Sequence, residues 1–412
     1  KIQNIKKLIK KNGAQYLLVK SNESICWLLN LRGEDLAYTP IFMSRLIVAA
    51  NGECFLFANI KKNLKFPNEV KVKIIQPKLL NNFLSSTITS KKIIADPRTL
   101  PANIYMFLKT VKTIIKLIND PIEILKSQKN NTEINGMRAA HLRDGVALTK
   151  SIFWIKEKVF KNQLNELQAI KKIDGNRSKN KYFHSLSFPT IAGSGPNGAI
   201  VHYHANKKSN RRIKDTDLFL IDSGGQYLDG TTDVTRTISF KRVSEEQKKM
   251  NTLVLKGHIA VASSKFSKSE TGKSLNVKAR KYLRQHNYDF DHGTGHGVGY
   301  FLNVHEGPQS ISSSSKVKLL PGMVISNEPG YYKTNSYGIR IENLILVKVL
   351  GNKYELETLT LAPIDRQLIE INLLSKSDIN WLNTYNKKVY KKLEKYLEPK
   401  EKAWLKKECS DL

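Results

Sequence analysis

The first 120 residues alternate lysine-rich stretches of helical spacing with short apolar runs, namely Tyr16–Val19, Leu46–Ala50, Cys54–Phe57, Val70–Ile75 and Ile93–Ala95. Runs of this length between turn formers predict buried strands, and Asn51-Gly52 between two of them is a hairpin signal. Strands alternating with helical stretches predict an α/β domain over residues 1–125. A polar stretch, Ser127 to Asn131, follows Pro121, and from Thr132, a candidate N-cap, the pattern is helical to about Phe160. A second amphipathic helix is expected from Ser244, where Gln247 completes a capping box and Met250, Leu253, Val254, Gly257 and Val261 follow at helical spacing. Strand-like runs broken by glycine-rich turns lie between and after these helices. The interval from Gly193 to Gly338 holds most of the histidines. Trp381, Leu382, Tyr385, Tyr390, Leu393 and Trp404 stand among lysines near the end, the pattern of helices packed on a larger body. The second domain is expected over residues 126–412, with a helical extension from about residue 365.

Composition narrows the class. With 412 residues, 40% hydrophobic and 25% charged, the chain suits a folded soluble protein and excludes a disordered or collagen-like polymer. No apolar run approaches the roughly 18 residues needed to span a bilayer, so no membrane association is expected. The sequence begins at Lys1 with no apolar leader, which gives no reason to expect export. Cys26, Cys54 and Cys409 are too few and too far apart for a disulfide framework or a thiolate zinc site, as befits a reducing, cytoplasmic setting. The net charge of +32 raises the question of nucleic acid. Its lysines are scattered, however, with no recognisable nucleic-acid module, so no nucleic-acid partner is expected. The densest clusters, Lys207, Lys208, Arg211, Arg212 and Lys214, and the tail around Lys391 to Lys407, read as a surface turn between strands and the exposed face of a terminal helix.

Three groups of residues carry candidate chemistry. The apolar strand Asp217–Ile221 ends at Asp222, Gly224-Gly225 permit a turn, and a second strand is expected from about Thr231 to Phe240. Alternation puts Val234, Arg236, Ile238 and Phe240 on one face and Asp233, Thr235 and Thr237 on the other. Asp222 and Asp233 can then converge across the hairpin, where two carboxylates repel unless a cation lies between them. Each taken alone is equally at home as a turn or cap residue. The second group is His292-Gly-Thr-Gly-His296-Gly-Val-Gly, with His305-Glu306 nine residues beyond; glycine there lets the backbone approach a ligand closely. The third is Glu328-Pro329, where proline biases Glu328 toward extended backbone, and Ile339–Val347, an expected strand with Arg340 and Glu342 on one face. A buried Glu on that strand needs a partner, which Arg340 can supply by orienting it. Two Asp, one His and two Glu favour Mn²⁺ or another first-row divalent ion over a thiolate zinc site. Four carboxylates can hold two ions, a pair that activates water for hydrolysis.

In its wording the chain resembles the pita-bread metallopeptidases, a group that includes methionine aminopeptidase, prolidase, creatinase and the aminopeptidase P (Xaa-Pro aminopeptidase) family. It is most similar to the last, in its long cytosolic form. The similar stretches are Thr190 to His202, Asp222-Ser-Gly-Gly-Gln-Tyr-Leu-Asp-Gly-Thr-Thr-Asp233, His292 to Gly299, and Glu328-Pro-Gly-Tyr-Tyr332. Ile25 to Asp35 resembles the middle domain of the three-domain form, and Trp381-Leu-Asn-Thr-Tyr385 its C-terminal extension. A first domain of comparable size is expected to be missing. The resemblance implies an α/β (α+β) architecture: a creatinase-like N-terminal domain, a pita-bread catalytic domain and a helical C-terminal extension. It implies two divalent metal ions, Mn²⁺ or alternatively Zn²⁺ or Co²⁺. Asp222 would chelate one ion, His296 and Glu328 the other, and Asp233 and Glu342 would bridge. Glu328 would accept and return a proton. His202 and His305 would orient the substrate and stabilise the tetrahedral intermediate or shuttle protons. His292 would line the pocket for proline in second position. Substrates would be peptides with proline second, and the family expectation is a homodimer. Prolidase activity on dipeptides, or an inactive peptide- or RNA-binding module of the same fold, stay open as alternatives.

Overall fold

The computed structural model describes residues 1–60, 64–161 and 164–412. They fall into two units, Lys1–Lys126 and Ser127–Leu412. In the first, six strands form one sheet in the order Val72–Ile75, Cys54–Ala58, Ser44–Ala49, Tyr16–Val19, Lys92–Ala95, Ile114–Leu117. The Asn51-Gly52 turn joins an antiparallel pair, with Gly52 at φ +96° where a side chain is rarely tolerated. Leu18, Ile47, Phe57, Leu84, Ile93 and Leu108 fill one core beside the sheet. The sixth strand, which is not among the expected runs, lies at an edge of the sheet with Ile114 and Leu117 exposed. All three cysteines are buried free thiols.

The second unit repeats one order twice: two helices, then antiparallel strands. Helices Asn131–Val159 and Glu166–Arg177 precede the sheet of Ile191–Ser194, Phe219–Ser223 and Val234–Ile238. Helices Glu245–Ala262 and Gly272–Arg284 precede strands Val324–Asn327, Asn343–Leu350 and Lys353–Thr358, whose sheet is completed by the short strand Lys265–Phe266 from between the two helices. The first helix starts earlier than the Thr132 cap expected. Asn130 caps it in a capping box with Glu133, because an Asn with Glu three residues on satisfies two N–H groups reciprocally, leaving Thr132 inside the first turn. The box at Ser244 and Gln247 forms as expected. Helices Lys376–Leu393 and Pro399–Glu408 close the chain, with Leu382, Tyr385, Val389 and Leu405 buried. Among the described residues no helix is long and apolar enough to cross a membrane.

Buried cations tie these layers. Arg236 is buried and its guanidinium donates to the carbonyls of Thr235, Glu342, Ala362 and Pro363, to Asn343 Oδ1 and to Tyr385 Oη, all at 2.7–2.9 Å. Each of its five N–H groups thus has an acceptor, the condition under which a buried charge is tolerated. It joins the strand after Asp233, the strand after Glu342 and the C-terminal helix. Arg177 forms a two-pronged pair with Asp144 at 2.7 and 3.0 Å and reaches the Ser223 carbonyl, fixing the strand that carries Asp222 against the long helix.

His258 is buried between these layers, with Nδ1 against the Asn327 carbonyl at 3.1 Å and Nε2 facing Asn343 Nδ2 at 3.0 Å. Burial, then Arg236, pushes its pKa down to about 3. The unfolded chain titrates near 6.5 and therefore binds more protons below that pH, so the contribution of His258 is complete above about 6.5 and declines as pH falls. Between pH 7 and pH 5 the loss is about 2 kcal/mol. Denaturant midpoints at the two pH values should fall for the native chain and fall less for His258→Gln; an unchanged acid loss in the variant would place its source elsewhere.

Candidate active site

The hairpin that carries the first two carboxylates is not one uninterrupted pair. Phe219–Ser223 pairs with Val234–Ile238 so that Asp222 lies opposite Thr235. Gly230–Thr231 instead pairs with Gly225–Tyr227 in a different sheet. Asp233 therefore sits at the step between two sheets and not inside the single strand Thr231–Phe240 expected, because Gly224 and Gly225 let the chain change partners there. Thr232 and the backbone at Gly224 pack so closely that a Cβ on Gly224 would lie 2.0 Å from the Thr232 carbonyl oxygen. Glu342 occupies a similar break. Tyr337–Arg340 forms a hairpin with Gly330–Lys333, Asn343 begins a new strand, and the continuous strand Ile339–Val347 is not formed.

These elements deliver Asp222, Asp233, His296, Glu328, Glu342, His202, His292, His305 and Arg340 to one cavity of about 360 Å³. Ligand-type atoms of Asp222, Asp233 and Glu342 lie within 4.8 Å of one another, as do those of His296, Glu328 and Glu342, and those of Asp233, His296 and His305. Glu342 and Asp233 each belong to two of these groups. His296 Nε2 is 3.4 Å from Asp233 Oδ2 and 3.4 Å from Glu328 Oε1. Its Nδ1 donates to the Gly297 carbonyl at 2.9 Å, which turns Nε2 toward the two carboxylate oxygens. The carboxylates of Asp222, Asp233, Glu328 and Glu342 crowd one another there, an arrangement that is repulsive unless cations lie between them. Asp222 Oδ1 and Glu342 Oε1 are buried with no hydrogen-bond partner among the described residues. Burial and then mutual repulsion, from Asp222 for Asp233 and from Asp233 for Glu342, push these two carboxyls well above their ordinary range. Burial also raises Glu328, against the pull of His296 and Arg340. A crowded, oxygen-rich set with orphaned lone pairs fits divalent cations.

Side chains around the set hold it in place. Thr235 donates to Glu342 Oε2 at 2.8 Å, and Ser326 donates to Glu328 Oε1 at 2.9 Å while accepting from the His296 N–H. Arg340 does not pair with Glu342 as anticipated. Its Nη2 donates to Asp222 Oδ2 at 2.7 Å and its Nη1 to Tyr332 Oη at 2.7 Å, because the chain breaks between Arg340 and Glu342 and the strand-face alignment is lost. Burial opposes its charge, but Tyr332, Asp222 and Glu328 hold the guanidinium protonated. Tyr332 Oη in turn lies 2.8 Å from His292 Nε2, and His292 Nδ1 faces the Gly293 carbonyl at 2.7 Å. Burial pushes Tyr332 up to about 12 and His292 down to about 4, so near neutrality the phenol donates to a neutral imidazole. His305 is also pushed to about 4, by desolvation and then by His296, whose ring it meets edge-on at 4.2 Å.

Gly293 and Gly295 line the cavity, and glycine in this segment also serves close packing. A Cβ on Gly295 would lie 1.9 Å from the Ser326 carbonyl oxygen, and one on Gly297 would lie 2.0 Å from that of Glu306. These glycines let the His296 segment press between the Glu328 strand and the His305 loop. Sequence reasoning left out Thr235, Ser326, Tyr332 and His204, the last of which lines the cavity beside Phe188, Pro189 and Val201. Tyr332 belongs to the Glu328-Pro-Gly-Tyr-Tyr stretch, but only its contact with Arg340 assigns it a task.

The fold and this pocket define a metallopeptidase. Residues 135–349 match the model of metallopeptidase family M24, residues 1–133 the creatinase/prolidase N-terminal domain and residues 352–412 the C-terminal region of peptidase M24. The chain belongs to metallopeptidase family M24. It is 38% identical to a probable Xaa-Pro aminopeptidase P of Laccaria bicolor, covering 100% of this chain and 67% of that protein. It superposes with a TM-score of 0.93 and 32% identity on the X-prolyl aminopeptidase of Caenorhabditis elegans, described as a cytosolic enzyme with a di-nuclear active site, over 100% of this chain and 70% of that one. The Xaa-Pro dipeptidase of Bacillus anthracis shares the fold at TM-score 0.74 and 21% identity, over 88% of this chain and 98% of that one.

Proposed function

We propose that this chain is a metal-dependent Xaa-Pro aminopeptidase that hydrolyses the bond between an N-terminal residue and a following proline. The observation that carries the proposal is the pocket in which Asp233 and Glu342 each face two groups of potential ligands, with His296 Nε2 turned toward the carboxylates. Similarity to proteins named Xaa-Pro aminopeptidase P along the whole chain supports the same reading. Asp222, Asp233, His296, Glu328 and Glu342 would hold two divalent ions. The donor set favours Mn²⁺, with Zn²⁺ and Co²⁺ as alternatives. When bound, such a pair lowers the pKa of water and polarises a carbonyl.

The chain's own residues supply the rest. Glu328 would take the proton of the attacking water and return it to the proline nitrogen, as a carboxylate at the cavity wall held by Ser326 can do. His305 and His202 line the cavity wall and would hydrogen-bond the developing oxyanion and the substrate. His292, fixed by Tyr332, would line the pocket for the proline ring together with Phe188, Pro189 and Val201. Proline has no amide N–H and a fixed φ, so selection rests on pocket shape and not on strand-like pairing.

The test uses metal-loaded protein and compares an Xaa-Pro dipeptide with Xaa-Pro-Pro and longer Xaa-Pro peptides. Release of the N-terminal residue from the longer peptides, at kcat/KM at least equal to that for the dipeptide, is expected. Turnover confined to the dipeptide would make the chain a prolidase instead.

A further inference from the structure

We infer that Lys129 and Glu306 form a buried clamp that positions His305, an inference that rests on the reading of His305 given above. The two side chains are 0% and 1% exposed, with Nζ 2.9 Å from Oε1. The same ammonium donates to the Val298 carbonyl at 2.5 Å and to the Ser127 carbonyl at 3.3 Å. Val298 follows His296 by two residues, and Glu306 follows His305 by one. One Lys thus holds both ends of the segment that separates the two histidines.

Inside those ends the segment is closed by further bonds. Glu306 N–H donates to Gly297 O at 2.7 Å, Gly299 N–H to Asn303 O at 3.0 Å, and His305 N–H to Asn303 Oδ1 at 3.2 Å. Gln226 Nε2 holds the Leu302 carbonyl at 2.6 Å. Lys129 is itself anchored: its N–H donates to Gly322 O at 2.9 Å, and Gln128 bridges Met323 immediately before the strand that leads to Glu328. The clamp therefore fixes the His296 segment, the His305 loop and the approach to Glu328 relative to one another. Desolvating a Lys and a Glu is costly, and an apolar pair of similar volume can serve packing as well or better. What the apolar pair lacks is a three-donor ammonium aimed at a carbonyl beside one histidine and a carboxylate beside the other. The arrangement serves geometry, and its product is the edge-on contact of His305 with His296.

The test is a double-mutant cycle on the metal-loaded full chain with an Xaa-Pro-Pro peptide. Lys129→Met should lower kcat about 10- to 100-fold, the range seen when groups that orient an active-site side chain are removed, with KM changed less than about threefold. Added to His305→Ala, it should lower kcat by less than about twofold more, because the residue it positions is already gone. A lone buried carboxylate can prevent folding, so Lys129→Met/Glu306→Met, which removes both charges, is read in the same cycle. Losses that multiply in both backgrounds, or native kcat in the clamp variants, would overturn the clamp alone. Full activity of His305→Ala would overturn the role of His305 and the clamp with it.

Discussion

Asp233→Asn is expected to lower kcat/KM about a thousandfold while leaving the fold intact, since losing several kcal/mol of metal-assisted catalysis at about 1.36 kcal/mol per decade gives that magnitude. Asp233 is the carboxylate that faces His296 on one side and Asp222 with Glu342 on the other. An amide of the same shape keeps the packing but cannot neutralise two cations. Stability should hold or improve in the metal-free state. There, burial and Asp222 already press the carboxyl toward its neutral form, which Asn imitates. Turnover, bound metal and the thermal midpoint of the variant check each part. Undiminished turnover would mean that Asp233 does not serve a pair of ions.

Glu328→Gln is the second large effect, a fall in kcat of about 10²- to 10⁴-fold at saturating metal, the range for loss of a general acid–base group. Ser326 holds Glu328 Oε1 at 2.9 Å, and the His296 imidazole lies 3.4 Å away, so the side chain has little freedom to be replaced by a neighbour. Gln can accept the Ser326 hydrogen bond but cannot take the proton of water. KM should move far less than kcat, because the proton transfer belongs to the transition state. A kcat within threefold of the native value would remove Glu328 from that role.

What could be read from the chain and what could not follow one physical line. Alternation over five or six residues reports which face of a strand is buried, and Val234, Ile238 and Phe240 do enter the core while Thr235 and Thr237 turn the other way, toward Glu342 and Arg340. Capping chemistry is equally local, which is why the box at Ser244 was legible. At the long helix, Thr132 was mistaken for the cap because Asn130 and Glu133 have to be read as a reciprocal pair. The breaks at Asp233 and Glu342 were hidden, since a chain that changes sheets in mid-run keeps its apolar alternation. The partners of Arg340 depend on that break, and those of Lys129 on a residue 177 positions away, which no local pattern encodes. The cavity's residues were gathered from spacing and resemblance; their supports, Thr235, Ser326 and Tyr332, required coordinates.

The proposed function requires that Asp233 and Glu342 lie among the ligands of two cations. Crystals of the Mn²⁺-loaded protein, measured at the manganese absorption edge, test this directly. Two anomalous peaks are expected about 3.5–4 Å apart, one against Asp222 and the other against His296 and Glu328. A map with no peak between these side chains, or with manganese only elsewhere on the molecule, would contradict it.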